Sequence, residues 1–368
     1  MDTKFLIVGA GFSGSVLAGQ LSNKLNVSID VVDERDHIGG NCYTSTDQVT
    51  GITEHRYGPH IFNTDKKHLW DYICRFCNMI PFTNRVKAIY QGEVYSFPVN
   101  LHTINQFFRK SLNPLEARKF LEDLGDKSIG EPGSFEEMAL KTIGADLYKA
   151  FFYFYTKKQW GCEPSTLPAS ILKRLPIRFN YNDNYYNNLF QGIPEDGYTP
   201  VFEKMLDHAR IKVHLNTKFD DSFPVEKYDH IFYTGPIDAF FNYKFGRLGY
   251  RTVYFEKGYA EGDYQGNAVI NYTDDSVPYT RIHEHKHFTP WKTFEKTVFF
   301  REFSRETGDN DIPFYPKRLP EDLKKLQLYQ NEAAKSARFT FLGRLATYRY
   351  MDMHHVIDEA LTIAGKFK

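Results

Sequence analysis

The sequence predicts an α/β fold in which a parallel β-sheet begins almost at the first residue. Residues 4–8 are a short apolar run typical of a buried parallel strand. Residues 9–14 form a glycine-rich turn, and residues 13–25 carry their apolar side chains on one side of a predicted helix. Residues 27–32 predict a second strand. Strand, turn, helix and strand make a βαβ unit, which indicates a Rossmann-type domain.

The glycine-rich turn predicts a dinucleotide site. Gly9, Gly11 and Gly14 fit the pattern G-x-G-x-x-G, in which the glycines allow a tight turn, a close approach of pyrophosphate, and close packing of helix on strand. The helix that follows points its unpaired N–H groups at the phosphates. Asp33 ends the second strand, where a carboxylate binds the ribose hydroxyls of a dinucleotide.

The predicted domains are discontinuous along the chain. Strand, turn and helix patterns alternate as if a helical domain and an antiparallel β-sheet domain were inserted into the Rossmann-type domain. Residues 166–181 within the sheet domain predict a mobile loop. The Rossmann-type domain takes residues 1–79, 195–245 and 318–368, the helical substrate domain residues 100–165, and the sheet domain residues 80–99, 166–194 and 246–317.

Composition excludes several classes of protein. Lys plus Arg and Asp plus Glu both number 46, so the basic excess of a general nucleic-acid binder is missing. Four cysteines in 368 residues do not make a disulfide framework. The sequence holds no apolar run of the ~18 residues needed to span a membrane, and no signal peptide opens it. We therefore expect a cytoplasmic protein that binds neither nucleic acid nor membrane.

Two patterns could be mistaken for metal sites. His283, His285 and His287 alternate, and on a strand alternate residues share one face. Cys74 and Cys77 have the spacing of half a zinc site, but no second pair exists and the segment 67–77 predicts a helix. We interpret both as structural and expect no metal.

Two further segments favour FAD over NAD. Residues 35–41, which contain Gly40 and Asn41, resemble the second flavin motif of FAD-dependent enzymes with this fold. Residues 343–346, beginning with Gly343 and Arg344, resemble the closing flavin motif, in which backbone and an arginine meet the pyrophosphate.

Several segments together resemble the bacterial UDP-galactopyranose mutase family, and they span nearly the whole chain in order. They are residues 33–41, Tyr57-Gly58-Pro59-His60-Ile61-Phe62, Phe82-Thr83-Asn84, Tyr155-Thr156-Lys157-Lys158-Gln159-Trp160-Gly161, residues 191–194, 233–238 and 265–271, Pro278-Tyr279-Thr280-Arg281, residues 284–288, and Tyr350 with Asp352-Met353-His354.

The resemblance implies an isomerase that interconverts UDP-galactopyranose and UDP-galactofuranose and supplies furanose for surface glycans. The reaction would run through a covalent adduct of reduced flavin N5 with the sugar's anomeric carbon, without net oxidation. The cofactor would be reduced FAD, an external reductant such as NAD(P)H would supply its electrons, and the enzyme would be a homodimer. The chain shows no obvious protein nucleophile by motif, which agrees with chemistry carried by a cofactor.

The resemblance also implies roles for individual residues. Arg174, Arg281 and His60 would act in catalysis, the two arginines by binding the diphosphate. The remaining substrate-binding residues would be Asn84, Phe151, Phe152, Tyr155, Thr156, Trp160, Tyr185, Asn271, Tyr315 and Tyr350. Cofactor contacts would come from the glycines and Asp33 named above, and from Gly40, Asn41, His60, Arg251, Gly343, Arg344, Tyr350, Asp352 and Met353.

Three alternatives remain open. Asn63, Phe154 and Met351 depart from the residues common at those positions in the family. The same chemistry on UDP-N-acetylgalactosamine or dTDP-6-deoxygalactose is therefore an alternative, and an ordinary FAD-dependent oxidoreductase is another. A Rab-escort or GDI-like binding protein with this fold is the third, against which the intact Asp33 and Gly343-Arg344 argue.

Overall fold

The computed structural model describes residues 3–169, 171 and 177–367. Its strands are β1 (Lys4–Val8), β2 (Ser28–Val32), β3 (Thr44–Thr46), β4 (Thr53–His55), β5 (Phe62–Thr64), β6 (Met79–Pro81), β7 (Lys87–Tyr90), β8 (Glu93–Ser96), β9 (Phe190–Pro194), β10 (Ile211–His214), β11 (His230–Tyr233), β12 (Tyr250–Glu261), β13 (Val269–Tyr272), β14 (Arg281–Glu284), β15 (Lys296–Glu306), β16 (Tyr315–Pro316) and β17 (Phe339–Phe341). Its helices are α1 (Phe12–Lys24), α2 (Lys67–Ile73), α3 (Leu101–Phe108), α4 (Pro114–Leu124), α5 (Phe135–Tyr148), α6 (Phe154–Trp160), α7 (Thr199–Leu206), α8 (Ile237–Phe240), α9 (Pro320–Ala333), α10 (Gly343–Ala346) and α11 (Met353–Ala364). Within the described ranges, no helix is both long and apolar enough to cross a bilayer.

A five-stranded parallel sheet has the order β10-β2-β1-β11-β17. Val8 at the end of β1 is level with Val32 of β2 and Tyr233 of β11, so the carboxyl ends of the central strands share one edge. Helices α7 and α11 pack against α1, and together they bury one apolar core. The predicted βαβ unit is present, with α1 beginning one residue earlier than expected.

The turn between β1 and α1 brings three short stretches of backbone together. Gly9 has φ +106°, a left-handed conformation that favours glycine. A Cβ on Gly14 would lie 1.9 Å from the carbonyl oxygen of Gly9, so any side chain there would push the helix off the strand. Gly40, from a loop after β2, lies beside Gly11: a Cβ on Gly40 would lie 3.2 Å from the Gly11 Cα.

A second layer is helical. Asn100, Asn113 and Ser134 cap α3, α4 and α5 with reciprocal capping boxes, which satisfy N–H groups at the start of each helix. After α5 the chain continues through a π-helical turn, Lys149–Tyr153, directly into α6. The apolar side chains of this turn, including Phe151 and Phe152, are buried in the second core.

A seven-stranded sheet has the order β16-β12-β15-β14-β13-β7-β8, with β7 and β8 before the helical layer in sequence and the other five strands after it. It is antiparallel except where β13 pairs with β7, and that pair is parallel. Strand β7 comes from the early hairpin around Gln91 and Gly92, and β13 belongs to the later meander of β13, β14 and β15. In the register of β14 and β15, Arg281 lies directly opposite Glu302.

The close contact of α1 with β1 generates a prediction. Gly14→Ala forces a methyl group into the Gly9 carbonyl, and we expect the unfolding free energy to fall by at least about 1–3 kcal/mol, the usual cost of overpacking. Thermal and chemical unfolding measure it. Gly130→Ala is the control, because a Cβ on Gly130 meets nothing within 4 Å. Equal stability of the two variants would contradict the packing argument.

Candidate active site

A cleft opens beside the carboxyl edge of the parallel sheet and encloses about 650 Å³, part of it open to solvent. Its walls come from the loop after β4, from the approach to β7, from the segment around Tyr185, from β13, β14, β15 and β16, and from α10. The lining residues are Asn41, Tyr57, Gly58, Pro59, His60, Ile61, Asn84, Val86, Tyr185, Tyr186, Val269, Asn271, Arg281, His283, Glu302, Phe314, Tyr315 and Arg344.

Arg281 is held in the cleft wall by a carboxylate. Its Nη2 donates to Glu302 Oε1 at 2.8 Å, and the Nε2 of His283 lies 2.8 Å from Glu302 Oε2. The side chains of Glu302 and His283 are each 2% exposed, whereas that of Arg281 is 24% exposed to the cleft. Burial alone would raise the pKa of Glu302, but Arg281 and His283 outweigh it and lower the pKa to about 2. The wall therefore keeps a carboxylate and a guanidinium charged side by side.

The histidines around the cleft are neutral. Burial lowers the pKa of His55 to about 3, and burial with the charge of Arg344 lowers the pKa of His60 to about 4. Burial also lowers the pKa values of His283 and His285. His60 Nδ1 lies 2.8 Å from the carbonyl oxygen of Gly58. Positive charge on the cleft wall therefore comes from arginines.

A second cavity of about 470 Å³ is lined mainly by aromatic rings. Tyr185 and Asn271 line both cavities, so the two adjoin. The other lining residues are Phe97, Phe135, Phe151, Phe152, Tyr155, Thr156, Trp160 and Ile171. Burial raises the pKa of Tyr155 well above its ordinary value, so its hydroxyl keeps its proton and can donate a hydrogen bond.

Helix α6, which carries Tyr155 and Trp160, is fixed by a partly buried cation. Lys158 Nζ lies 2.8 to 3.2 Å from the carbonyl oxygens of Tyr272, Asp274, Val277 and Tyr279, all in or beside the loop that leads to Arg281. Burial lowers the pKa of its ammonium to about 8. Lys158 thus ties the aromatic cavity to the strand that carries Arg281.

A second cation holds the segment that carries Tyr185. Arg178 is 8% exposed and donates to the carbonyl oxygens of Asn182, Asn184 and Tyr186. The Tyr185 N–H donates to the carbonyl oxygen of Asn84 at 2.8 Å. An irregular segment is thereby ordered around a guanidinium and places Tyr185 between the cavities.

The glycine-rich turn makes a groove without side chains beside the cleft. Gly11 precedes α1 and has no side chain to cap its N-terminus, and Gly40 closes the other side of the groove. Asp33 accepts from the N–H groups of Ala10 and Arg35 at 2.8 and 3.0 Å. Asn41, next to Gly40, lines the cleft, so the groove runs into it.

Comparison with known proteins identifies the family. A family model described as UDP-galactopyranose mutase matches residues 150–350, and one described as an NAD(P)-binding Rossmann-like domain matches residues 7–76. A probable UDP-galactopyranose mutase of Klebsiella pneumoniae is 53% identical, over 100% of this chain and 95% of that protein. This chain belongs to the UDP-galactopyranose mutase family. A dTDP-fucopyranose mutase of Escherichia coli is 50% identical, over 98% of this chain and 97% of that protein.

Solved structures agree on the fold. A crystal structure of reduced UDP-galactopyranose mutase aligns with a TM-score of 0.76 and 14% identity, over 99% of this chain and 93% of that one. A redesigned putrescine oxidase aligns with a TM-score of 0.62 and 13% identity, over 100% and 99%. At these identities the likeness shows the fold alone. The predicted α/β fold and the family resemblance are confirmed, and the chain is an isomerase of the sugar-nucleotide pyranose–furanose mutase class.

The structure brings most of the site residues predicted from the mutase family together. Asn41, His60, Asn84, Tyr185, Asn271, Arg281, Tyr315 and Arg344 line the cleft, and Phe151, Phe152, Tyr155, Thr156 and Trp160 line the aromatic cavity. Gly9, Gly11, Gly14, Asp33 and Gly40 form the groove. Arg174 lies outside the described residues.

Five further predicted residues lie outside both the cavity linings and the groove. Tyr350 stacks on Tyr315, with ring centroids 6.0 Å apart, and so adjoins the cleft. Gly343 begins α10, Asp352 is the N-cap of α11, and Met353 is the first residue of that helix. Arg251 donates through Nε to the carbonyl oxygen of Gln159 and through Nη1 to Glu306, so the structure places its guanidinium at the end of α6.

Sequence reasoning missed several residues of the mutase cleft. Glu302 had no motif around it, and only the register of β14 and β15 brings it to Arg281. Tyr186 and Phe314 lie in irregular segments, next to residues that were predicted. His283 was set aside as part of a histidine pattern, yet it lines the cleft. A local motif does not show which strands distant in sequence will pair, so it could not place Glu302 beside Arg281.

The histidine pattern does not follow a strand. Strand β14 ends at Glu284, and His285 begins a 3-10 turn, so the expected alternation breaks. His283 contacts Glu302, His285 stacks on His55, and His287 lies 3.5 Å from Glu284. Helix α2 ends at Ile73, four residues short of Cys77, whose thiol donates to the Ile73 carbonyl.

The residues that depart from the mutase family pattern are absent from both cavity linings. Asn63 is buried and donates to the carbonyl oxygen of Ile61, Phe154 packs against Tyr153, and Met351 is 9% exposed near Thr347. Among the described residues, none of the three lines the cleft or the aromatic cavity.

The neutral histidines predict how stability depends on pH. An unfolded histidine takes up a proton near pH 6.5, but folded His55 stays neutral down to about pH 3, so the unfolded state binds more protons as pH falls. We expect the unfolding free energy to fall below pH 6.5 by up to about 1.4 kcal/mol per pH unit from His55 alone. Chemical denaturation between pH 7 and 4.5 measures the slope.

His55→Gln should reduce that slope, whereas substitution of the exposed His102 by glutamine should leave it unchanged. A wild-type stability that is flat between pH 6.5 and 4.5 would refute the assignment of His55 as a neutral buried group.

Proposed function

We propose that this protein binds FAD and, with the flavin reduced, interconverts UDP-galactopyranose and UDP-galactofuranose. One observation carries the proposal: a charged arginine, Arg281, lines the cleft beside the dinucleotide groove, opposite Asn271 on β13, which the cleft shares with an aromatic cavity. A sugar nucleotide needs these three parts in this order, with aromatic rings for the base, a cation for the diphosphate and a polar cleft for the sugar.

The groove suits FAD. The approach of Gly40 to Gly11 leaves backbone alone at its floor, and the uncapped start of α1 presents N–H groups to a pyrophosphate. Asp33 still has lone pairs for ribose hydroxyls after accepting from two backbone N–H groups. Arg344 and His60 on the cleft wall would lie beside the flavin ring.

The aromatic cavity suits the nucleoside. The flat rings of Tyr155 and Trp160 can stack on a base. Because these rings line a cavity, the contact with the base would be apolar. Lys158 keeps the helix that carries them at a set position relative to Arg281.

The diphosphate would bind Arg281 and the tyrosine hydroxyls around it. Arg281 Nε is buried and has no hydrogen-bond partner among the described residues, so a donor of the guanidinium remains available. Burial raises the pKa of Tyr315 to about 12, so its hydroxyl stays protonated and can donate to a phosphate oxygen. Tyr155, Tyr185 and Tyr350 would contribute further hydroxyls.

The sugar would occupy the cleft between His60 and Asn271. The Oδ1 atoms of Asn84 and Asn271 are buried, and each has no partner within the described part of the chain. An amide oxygen accepts hydrogen bonds, and the hydroxyls of a galactose ring would satisfy both. His60 is neutral, so it gives the cleft a polar wall without a positive charge that would compete with Arg281 for the diphosphate.

When bound and reduced, the flavin supplies the nucleophile, its N5 atom, for the anomeric carbon of the sugar. The protein's part is to orient the sugar and to stabilise the departing diphosphate. Its buried donors act in a partly dry cleft, where each charge-assisted hydrogen bond is stronger than in water.

A second substrate deserves a direct comparison. The E. coli relative, 50% identical over 98% of this chain, is a dTDP-fucopyranose mutase. We favour UDP-galactose because the family model and the K. pneumoniae relative carry that name. The two orphaned amide acceptors also favour the sugar with more hydroxyl groups.

The proposed function predicts a yellow protein that releases about one FAD per chain on denaturation. Conversion of UDP-galactofuranose to the pyranose should require reduced flavin, supplied by dithionite or NAD(P)H, and should consume no stoichiometric reductant. Chromatography of the products and NADH absorbance measure both quantities. Equal turnover by oxidised and reduced enzyme would contradict the proposal. A kcat/KM about tenfold higher, or 1.4 kcal/mol, for the dTDP-6-deoxysugar would favour the second substrate.

A separate prediction concerns the diphosphate site. Arg281→Ala should lower kcat by ~10²–10³, the usual effect of removing one donor that stabilises developing charge. Arg281→Lys should rescue poorly, because a point charge does not reproduce the guanidinium fork. Steady-state kinetics with reduced enzyme measure the kcat of both variants. Arg174→Ala is expected to lower kcat by a similar factor.

Arg305→Ala is the matched control, because Arg305 lies on β15 and its exposed side chain pairs with Asp311. The control should keep wild-type turnover, and all variants should keep their flavin. Near-wild-type turnover of Arg281→Ala would show that the diphosphate lies elsewhere.

A further inference from the structure

Glu302 is a buried carboxylate with both oxygens engaged. Oε1 accepts from Arg281 Nη2 and Oε2 lies within hydrogen-bond distance of His283 Nε2, both at 2.8 Å. Arg281 and His283 are two residues apart on β14, so their side chains share a face, and Glu302 lies opposite Arg281 on β15. One carboxylate can therefore bridge the two.

This bridge restricts how Arg281 can turn. One guanidinium Nη is committed to Glu302, which leaves Nε and the remaining donors for a ligand. Since the guanidinium is planar and its donors form a rigid fork, holding one Nη sets the direction of the others. His283 in turn keeps the carboxylate in place, because a carboxylate acceptor requires His283 to carry its proton on Nε2.

We propose that Glu302 is a positioning residue that holds the guanidinium of Arg281 in the orientation needed by the diphosphate, a role that rests on the proposed function of Arg281. His283 is the second support of the same carboxylate. Glu302 acts through Arg281 and contributes orientation rather than attraction, because its own negative charge repels a diphosphate.

Because Glu302 orients Arg281 but repels the diphosphate, its loss should change the turnover rate and the affinity for a nucleoside diphosphate differently. Removing the charge of Glu302 leaves Arg281 positively charged but lets its guanidinium adopt more orientations. Ground-state attraction for a nucleoside diphosphate should then be retained or increased, while alignment in the reaction is lost. A residue that only stabilised the fold would weaken binding and turnover together.

The experiment compares Glu302→Gln with wild type as FAD-loaded, reduced enzyme. We expect kcat to fall by about tenfold to a hundredfold, the scale of a small misplacement in an active site. The Kd of UDP, measured by calorimetry, should be unchanged or lower, and the flavin content should be unchanged. Glu302→Asp keeps the charge but withdraws it by one methylene, and its kcat should lie between those of Glu302→Gln and wild type.

Asp47→Asn is the matched control. Asp47 is also a buried carboxylate paired with a cation, Lys257, but it does not line either cavity. Its substitution should lower the thermal midpoint and leave kcat and the Kd of UDP unchanged. It reports what loss of a buried ion pair does to this protein without any change at Arg281.

A double variant tests whether Glu302 acts through Arg281. Substitution by glutamine at Glu302 in an Arg281→Ala background should cause no further loss of kcat, and it should tighten UDP binding relative to Arg281→Ala, because an unpaired negative charge is removed. The proposal is overturned if the two losses multiply, if Glu302→Gln keeps wild-type kcat, or if its UDP affinity falls in parallel with kcat. If Arg281→Ala itself is fully active, the proposed function fails first, so the two failures are distinguishable.

Discussion

The pairing of Arg281 with Glu302 across β14 and β15 is the interaction on which the cleft depends. A guanidinium withdrawn from water is costly unless a carboxylate compensates it. Here the carboxylate is 2% exposed and the arginine 24% exposed, so the partner is hidden and the cation faces the cleft. The neutral histidines around the pair add no competing charge. The cleft therefore presents arginine charge to a ligand without leaving it unbalanced in the core.

The walls around this pair are largely irregular backbone, which needs partners for its carbonyl groups. Two buried arginines and one partly buried lysine supply them. Lys158 gathers the carbonyl oxygens of the loop before Arg281, Arg178 those of the segment around Tyr185, and Arg251 that of Gln159 at the end of α6. Lys158 lies on α6 and Arg251 on β12, whereas Arg178 lies within the irregular segment that it orders. Rigid cavity walls can thus be built from segments with little secondary structure.

Local patterns were sufficient for much of the fold. The apolar run before Gly9, the helix after it and the second strand ending at Asp33 are visible within 33 residues, and the structure has them with bounds shifted by at most one or two positions. The segment from Tyr155 to Trp160 was recognisable because its residues are consecutive and resemble a motif of the mutase family, and the structure has them on one helix. The histidine pattern misled, since nothing local announces that β14 ends at Glu284. Arg251 shows a related limit, because its strand was predictable but its contacts with α6 were not.

By itself, the sequence determined the βαβ unit, the glycine-rich turn and the family, because each is carried by short motifs whose residues are consecutive in the chain. Only the tertiary structure decided that Glu302 meets Arg281, that the aromatic cavity adjoins the cleft at Tyr185 and Asn271, and that Lys158 joins α6 to the approach of β14. The physical reason is that strand register and burial are settled by packing over the whole molecule. The role of Glu302 could not be predicted before the fold brought Arg281 to it and buried its carboxylate.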